Sequence, residues 1–332
     1  MKTKASSLAR AAYEDLRASL STAHRPPFRG NLTRVSRHNK TYWYDSYRIG
    51  TVVKKRYVGE DSPLLQSQAR VHEANRARAF REAKARSLRV KLLKAEGFRG
   101  PGSAIGSFLT AASSADLFEH GLMVIGTQAF KCYENHLGFI FNKSEEQALG
   151  LSELDRVDLA IAAPGSQEFT DSFCDFCFRA TDDDANAYLW THSRQAVQFR
   201  FFGASVSGTE GFLPVGPSGA ELRMMRYLRF LMKDPIDVVC AYRSGIRIKA
   251  PRPDRFAVHK LILANRRKHE DPETALRDAR QAAALIEVLN DVDPVGLRET
   301  LEEALGRGKT WQSHIIGTLS RLPETVELLE KT

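Results

Sequence analysis

The sequence predicts an α+β fold: a mixed sheet with helices on it, preceded by a basic helix–meander–helix module and followed by a helical domain. Three observations predict this class. Residues 31–58 alternate between apolar and polar side chains, residues 107–204 alternate between helical and strand patterns, and helical spacing runs from residue 253 onward. A chain of 332 residues is long enough for two or three domains with a sizeable core.

The domain boundaries are predicted from composition. A glycine- and proline-rich segment at residues 99–106 ends the basic region. We expect the basic module at residues 1–98, the mixed-sheet domain at 103–249 and the helical domain at 250–332. No run of about 18 apolar residues occurs and no apolar segment follows the basic N-terminus, so we expect a cytoplasmic protein without a membrane span.

Charge is distributed unevenly along the chain. Residues 1–100 contain 23 Lys and Arg against 8 Asp and Glu, a net charge of +15. Residues 101–332 contain 26 against 32, a net charge of −6. A basic region on a mildly acidic body indicates a polyanionic partner such as RNA or DNA. The alternative is a charged surface that only keeps the protein hydrated.

Two helices bracket the basic module. The first, over residues 3–22, is predicted from apolar side chains at four-residue spacing: Leu8, Ala12, Leu16 and Leu20. The second, over residues 63–96, contains no glycine and has its only proline at its start, and Gly97 ends it. Its basic face suits a nucleic-acid backbone. The alternative is a solvated strut packed through Val71, Phe80, Leu88 and Leu92.

A three-stranded antiparallel meander is predicted between these helices, over residues 31–58. Its side chains are largely aromatic and basic, and such faces stack bases while their cations bind phosphates. The residues predicted to contact nucleic acid are Arg37, Lys40, Trp43, Arg48, Lys54, Lys55 and Arg56. The alternative is that the aromatic side chains form the core of this small sheet.

The rest of the chain is divided by its periodicity into short elements. Helices are predicted at residues 107–121, 127–138 and 222–232, and in the C-terminal region from 253 onward. Strands are predicted at 121–126, 156–162 and 196–204, a hairpin at 237–250 and a loop at 208–220.

A phosphate-binding turn is the main functional feature of this region. A strand of Leu122 to Ile125 runs directly into Gly126 and Thr127, where a helix begins. Glycine lets a ligand approach the backbone, and the Thr127 hydroxyl and the free N–H groups of a first helical turn can hold a phosphate. The alternative is a plain helix cap by Thr127.

Five segments carry a resemblance to a known family: KTYWYDSYRIGTVVKKRYVG, LMVIGTQAF, RVDLAIA, PRPDRFAVHKLILANRR and RDARQAAALIEVL. They resemble a bacterial nucleotidyltransferase-fold family of the polymerase-beta-type superfamily, related to the nucleotidyltransferases of abortive-infection and toxin–antitoxin systems. The resemblance implies that the Gly-Thr turn binds an NTP. It also implies an Asp-x-Asp strand and a third carboxylate that together hold two Mg²⁺ ions.

The acidic residues depart from this pattern. The two aspartates should fall at positions 156 and 158, where the chain has Arg156 and Asp158. Asp155 is adjacent, and an adjacent strand residue points to the opposite face unless a bulge re-aims it. The third strand offers Gln198 and Arg200 in place of an acid. Either arginine could bind a phosphate directly.

Two interpretations therefore stay open. In one, the protein transfers a nucleotidyl group, with Asp158 as the metal ligand and with Asp155 or an acid of residues 182–184 as its catalytic partner. In the other, it is a catalytically degenerate component of a defence or toxin–antitoxin-like system that binds nucleotide, nucleic acid or a protein partner.

The C-terminal segments add cations by resemblance. Lys260, Arg266 and Arg267 are expected to face the cleft and contact triphosphate or a nucleic-acid backbone. Asp278 and Gln281 could pair with these cations, in which case the group is a structural network between two helices. His259 is expected to be a packed histidine.

Cysteine usage indicates no disulfide framework. Cys174 and Cys177 form a CxxC motif without a second pair or histidines at zinc-site spacing. We therefore expect these two cysteines, and also Cys132 and Cys240, to be buried and reduced.

Overall fold

The computed structural model describes residues 2–22, 28–49, 52–151, 156–162, 173, 179–180, 187–192, 195–205, 208–215 and 220–330. Asp155, Cys174, Cys177 and residues 182–184, which the sequence singled out, lie outside the described residues.

The helices have the following bounds: α1 Ser7–Ser21, α2 Pro63–Ala95, α3 Ser103–Ser114, α4 Gly126–Leu137, α5 Lys143–Ala148, α6 Leu228–Leu231, α7 Pro253–Arg267, α8 Pro272–Val292, α9 Pro294–Leu305, α10 Lys309–Leu319 and α11 Pro323–Glu330. The strands are β1 Thr3–Lys4, β2 Asn31–Arg37, β3 Lys40–Ile49, β4 Val52–Glu60, β5 Leu122–Ile125, β6 Phe139–Ile140, β7 Arg156–Ile161, β8 Arg179–Ala180, β9 Ala187–His192, β10 Gln195–Ala204, β11 Gly211–Val215, β12 Ala220–Met225, β13 Ile236–Cys240 and β14 Ile246–Ala250.

The predicted α+β class is confirmed. The main sheet has the order β11-β12-β10-β7-β5, with β9 also paired to β10 and β8 to β9. It is mixed, because β7 runs parallel to β10 and antiparallel to β5. A continuous apolar core joins this sheet to the helices around it. Phe108 of α3 stacks on Phe199 of β10, and Phe130 of α4 contacts Phe256 of α7.

The meander predicted for residues 31–58 is present as β2, β3 and β4, in that order. Asp45 on β3 is fully buried and accepts backbone N–H bonds from Arg29 at 2.9 Å and Gly30 at 2.8 Å. Trp43 is nearly buried and donates its indole N–H to Asp61 at 2.6 Å. One face of the small sheet therefore packs inward, against the start of α2.

The module is joined to the mixed-sheet domain by a second apolar cluster. Ala9, Tyr13 and Leu16 of α1 pack with Val90 of α2 and Val239 of β13, among others. The Tyr13 hydroxyl also accepts a bond from the Val239 backbone N–H at 3.2 Å. Burial of these side chains fixes α1 and the end of α2 on the domain.

The packing that the strut alternative gave to α2 is wrong for three of its four residues. Val71, Phe80 and Leu88 are more than half exposed, and the helix packs through His72, Arg86, Val90 and Leu93. Leu92 is half-buried against the cluster of α1, as that alternative expects. A helix turns by about 100° per residue, so Leu88 and Val90 point in directions about 160° apart. The inward face lies along Val90, which leaves Leu88 in solvent.

Two predictions in the middle of the chain are also wrong. The loop predicted at 208–220 contains strand β11, and the helix predicted at 222–232 is a strand as far as Met225, with only Leu228–Leu231 helical. β12 pairs with β10 and with β11, and its Ala220 and Leu222 are buried at alternate positions. This sheet pairing outweighs the local helical preference.

The helix predicted at 107–121 begins at Ser103 and ends at Ser114.

The C-terminal region is helical, as predicted, from α7 to α11. Most of α7 is buried, with α8, α9 and α10 packed against it and α11 packed against α8 and α10. Cys132 and Cys240 are buried free thiols, as predicted. Among the described helices, none has the length and apolar character to cross a membrane.

The glycines between module and domain generate a prediction. A Cβ on Gly100 would lie 2.1 Å from the Ala241 carbonyl oxygen, whereas a Cβ on Gly102 would meet nothing within 4 Å. We expect Gly100→Ala to lower the free energy of unfolding by about 1–3 kcal/mol because the backbone must move. The matched Gly102→Ala should change it by about 0.5 kcal/mol or less. Urea denaturation measures both, and equal losses would contradict the described packing.

Candidate functional site

The turn after β5 has the geometry of an open helix N-terminus. β5 is buried throughout, and α4 begins at Gly126, whose φ is +63°. A Cβ at Gly126 would lie 3.0 Å from Oδ2 of Asp158. Glycine is therefore required both for its left-handed backbone and to leave room for this carboxylate.

Thr127 does not cap the helix. The N-cap position of α4 is Ile125, and no side chain accepts a bond from the first turn. Thr127 is half-buried, inside that first turn. The plain-cap alternative is thus not the observed arrangement, and the N–H groups at the start of α4 keep their capacity to bind an anion.

Asp158 lies beside this turn and opposite Arg200. It is paired in register with Ile125 of β5 on one side and with Arg200 of β10 on the other. Arg200 donates from Nε to Oδ1 of Asp158 at 3.0 Å, and its Nη2 forms an ion pair with the same oxygen at 2.9 Å. Both side chains are about one-quarter to one-fifth exposed. Arg200 therefore neutralises the charge of Asp158, the described carboxylate that lies beside the turn.

A second pair lies one step along the same two strands. Gln198 is in register with Arg156, two residues before Arg200 and Asp158. Since alternate strand residues share a face, all four side chains belong to one face. Arg156 is exposed and has no carboxylate partner within the part of the chain that the structure describes. On β7 and β10, this face thus carries two cations, one anion and one amide.

The described residues do not fit a two-metal site. Among them, no group of three or more His, Cys, Asp or Glu side chains is arranged to hold a metal ion. Asp158 is the single described carboxylate that β7 and β10 place on this face, and its Oδ1 already accepts a bond from Arg200. Mg²⁺ requires near-octahedral oxygen ligands, and a guanidinium about 3 Å from the carboxylate opposes a second cation.

Lys260 and Arg267 meet at one buried carboxylate. The Lys260 ammonium donates to Oδ1 of Asp278, and Arg267 donates to Oδ2 at 2.6 Å. Burial alone would raise the pKa of Asp278, but the charges of Lys260 and Arg267 outweigh it and hold the pKa below its usual value. These contacts join α7 to α8, which is the structural network that the sequence offered as the alternative.

The other C-terminal side chains are also engaged within the protein. Arg266 pairs with Glu210 at 2.8 Å and lies over the ring of Tyr227. Gln281 donates to the Leu149 carbonyl at 2.8 Å, so it does not pair with the cations. His259 is buried, and burial lowers its pKa to about 3, so it is a neutral packed histidine as expected. The phosphate contacts predicted for Lys260, Arg266 and Arg267 stay predictions.

The meander residues predicted to contact nucleic acid divide into two groups. Four are engaged or face inward: Trp43 donates to Asp61, Lys40 pairs with Glu60, Arg56 with Asp45, and Lys54 is in register with inward-facing Tyr47. The other three, Arg37, Arg48 and Lys55, are exposed. None of these three has a carboxylate partner among the described residues.

Arg200 is the residue whose role the sequence underestimated. Its alternation with Gln198 placed it on the correct face of the third strand. Its contact with Asp158 joins two residues that are 42 positions apart in the sequence. The contact depends on the register between their strands, and no local sequence pattern contains that register.

A family model described as "Nucleotidyltransferase" matches residues 103–306, well over half of the chain. The match begins with α3 and ends just after α9, so it contains the Gly126–Thr127 turn, β7, β10 and the Lys260–Asp278 contact. The comparisons with curated proteins and with solved structures gave no match.

The buried carboxylate of Asp278 generates a stability prediction. Asp278→Ala leaves Lys260 and Arg267 without their counter-ion, and we expect a loss of about 3–5 kcal/mol in the free energy of unfolding at pH 7. Because the pKa of Asp278 is depressed, its contribution is present above about pH 4, its unfolded pKa, and is lost as pH falls further. The difference between wild type and variant should shrink accordingly in urea titrations between pH 7 and pH 3.

The matched control is Glu210→Gln, which breaks the more exposed pair with Arg266. It should cost about 1 kcal/mol or less. Similar losses in the two variants would show that the Asp278 cluster does not carry the helix contact.

Proposed function

The chain belongs to this nucleotidyltransferase family, and from that premise we propose that it binds a nucleotide through its phosphates without a metal ion and does not transfer a nucleotidyl group. One observation carries the proposal: Arg200 donates a hydrogen bond to Asp158 and forms an ion pair with it, and Asp158 is the carboxylate that lies against the Gly126 turn. Two-metal catalysis needs several carboxylates free to coordinate the ions. At this position the chain supplies a fixed guanidinium instead.

The same face offers donors for phosphate oxygens. The first N–H groups of α4 and the Thr127 hydroxyl lie at the turn, and a helix N-terminus stabilises an anion by about 0.3–1 kcal/mol. Arg156 adds an exposed guanidinium. Arg200 brings its guanidinium charge to the same position, beside Asp158. With two cations against one anion on β7 and β10, the face favours a negatively charged ligand.

Nucleotidyl transfer with an altered set of acids is the competing outcome. In that case Asp158 binds Mg²⁺, and Arg200 must release it when the metal binds. The two mechanisms predict opposite effects for substitutions at these two positions, which makes them separable by experiment.

Nucleotide binding is the first test. We expect the wild-type protein to bind an NTP equally well in Mg²⁺ and in EDTA. Asp158→Asn should bind at least as tightly, because it removes the anion and releases Arg200. Arg200→Gln should bind roughly tenfold more weakly or worse, as expected for lost hydrogen bonds to a charged group. Isothermal titration calorimetry measures each affinity.

The control for this experiment is Arg81→Gln, an exposed arginine in the middle of α2 and outside the sheet. It should bind like the wild type. Binding that requires Mg²⁺ and disappears in Asp158→Asn would refute the proposal.

Transfer of label is the second test. Incubation with an α-labelled NTP, Mg²⁺, RNA and protein acceptors should label no product above the level of Asp158→Ala. Loss of chemistry follows from Arg156 at the position of an expected acid and from the pairing of Asp158 with Arg200, whereas phosphate binding depends on neither. Labelled RNA or protein that depends on Asp158 would establish the competing outcome instead.

A further inference from the structure

The meander has an outer face that the fold leaves open. Side chains alternate along β3, so that Trp43 and Asp45 point inward while Tyr42 and Tyr44 point outward. The strand register places Tyr57 of β4 opposite Tyr44. Six residues define this tyrosine face: Arg37, Tyr42, Tyr44, Arg48, Lys55 and Tyr57.

The three tyrosines form a cluster in which Tyr57 is exposed and Tyr42 and Tyr44 are half-buried. Tyr57 contacts Tyr42 and Tyr44, with ring centroids 6.1 Å and 5.7 Å apart. Tyr57 is nevertheless 55% exposed. The core of the small sheet lies on the other side, where Trp43 and Asp45 are buried, so this cluster is not required as a core. Grouped exposed aromatic side chains are typical of a binding surface.

The cations of the tyrosine face are available to a ligand. The Lys55 ammonium lies 4.8 Å from the centroid of the Tyr44 ring, and Arg37 and Arg48 stand at opposite ends of their strands. Within the described chain, none of the three has a carboxylate partner. The acid at the edge, Glu60, is paired with Lys40 at 3.1 Å. The face therefore has a charge of +3 around exposed rings.

The end of the face at Arg48 opens into a cleft. Ser46, Arg48 and Val53 also line a cavity of about 740 Å³ between the meander and the mixed-sheet domain. Its walls include Arg29, Arg76 of α2 and Arg247 of β14, the last paired with Glu119 at 2.6 Å, together with Asp116. A nucleic-acid backbone that lies on the tyrosine face and extends past Arg48 into the cleft would thus meet further positive charge.

We propose that the tyrosine face binds single-stranded nucleic acid, with bases stacked on the tyrosine rings and phosphates paired with Arg37, Arg48 and Lys55. The rings select a single strand, because a duplex keeps the faces of its bases stacked inside. The cations complement the backbone charge. This site is separate from the Gly126 turn and does not depend on nucleotide binding there.

Fluorescence anisotropy of the full-length protein with a labelled single-stranded RNA tests the proposal. Tyr57→Leu should weaken binding by about 5- to 150-fold, the equivalent of one base–aromatic stack. Tyr57→Phe keeps the ring and should bind like the wild type. Arg48→Gln should lower the slope of log affinity against log salt by about 0.7. Because Tyr57 and Arg48 are exposed, these variants should fold, which circular dichroism checks.

The charge control is Arg81→Gln, an exposed arginine on α2 outside the face and the cleft. It should leave affinity and salt slope unchanged. Three results would overturn the proposal: a duplex of the same sequence competing as well as the single strand, inorganic polyphosphate competing as well as RNA, or Arg81→Gln weakening binding as much as Arg48→Gln. Wild-type affinity in Tyr57→Leu would overturn it as well.

Discussion

The alignment of β7 with its two neighbours is the constraint on which the candidate site depends. Asp158 faces Ile125 of β5 and Arg200 of β10 at the same position along the strand. On the opposite face, Val157 and Phe199 are fully buried. A shift of β10 by one residue would expose its phenylalanines and bury its arginine, so burial of the apolar face fixes the register. The contact between Arg200 and Asp158, and the charge presented at the turn, follow from that register.

Burial gives the ion pairs of this protein different roles. The Asp158–Arg200 pair is partly exposed, where an ion pair contributes little to stability, and under the proposed function its effect is on which ligands the site attracts. Asp278 is almost fully buried between Lys260 and Arg267, where loss of one partner is costly. The family match contains both pairs. The Asp158–Arg200 pair therefore concerns ligand selection in the proposed function, whereas the Asp278 cluster holds α7 and α8 together.

Much of the fold could be predicted from local patterns, because hydrophobic periodicity reports directly on helices and strands. The meander, the turn at Gly126 and the C-terminal helices are of this kind. The rest depends on contacts between distant segments. The sequence of β12 has helical spacing, and only its pairing with β10 makes it a strand. Asp278 and Arg200 were recognisable as polar residues on the correct elements. Their partners were fixed by packing and register, which a single sequence does not contain.

The length of α2 has a mechanical consequence. Its 33 residues span about 50 Å, and only its two ends are held, by the meander and by α1 with β13. Between them, Ala74, Ala77 and Phe80 are exposed, so the middle of the helix is an unsupported rod. A bend of about 5° at that point would displace a tip 30 Å away by about 3 Å, close to the distance between stacked bases. The stiffness of this one helix therefore limits how far the meander can move relative to the rest of the molecule.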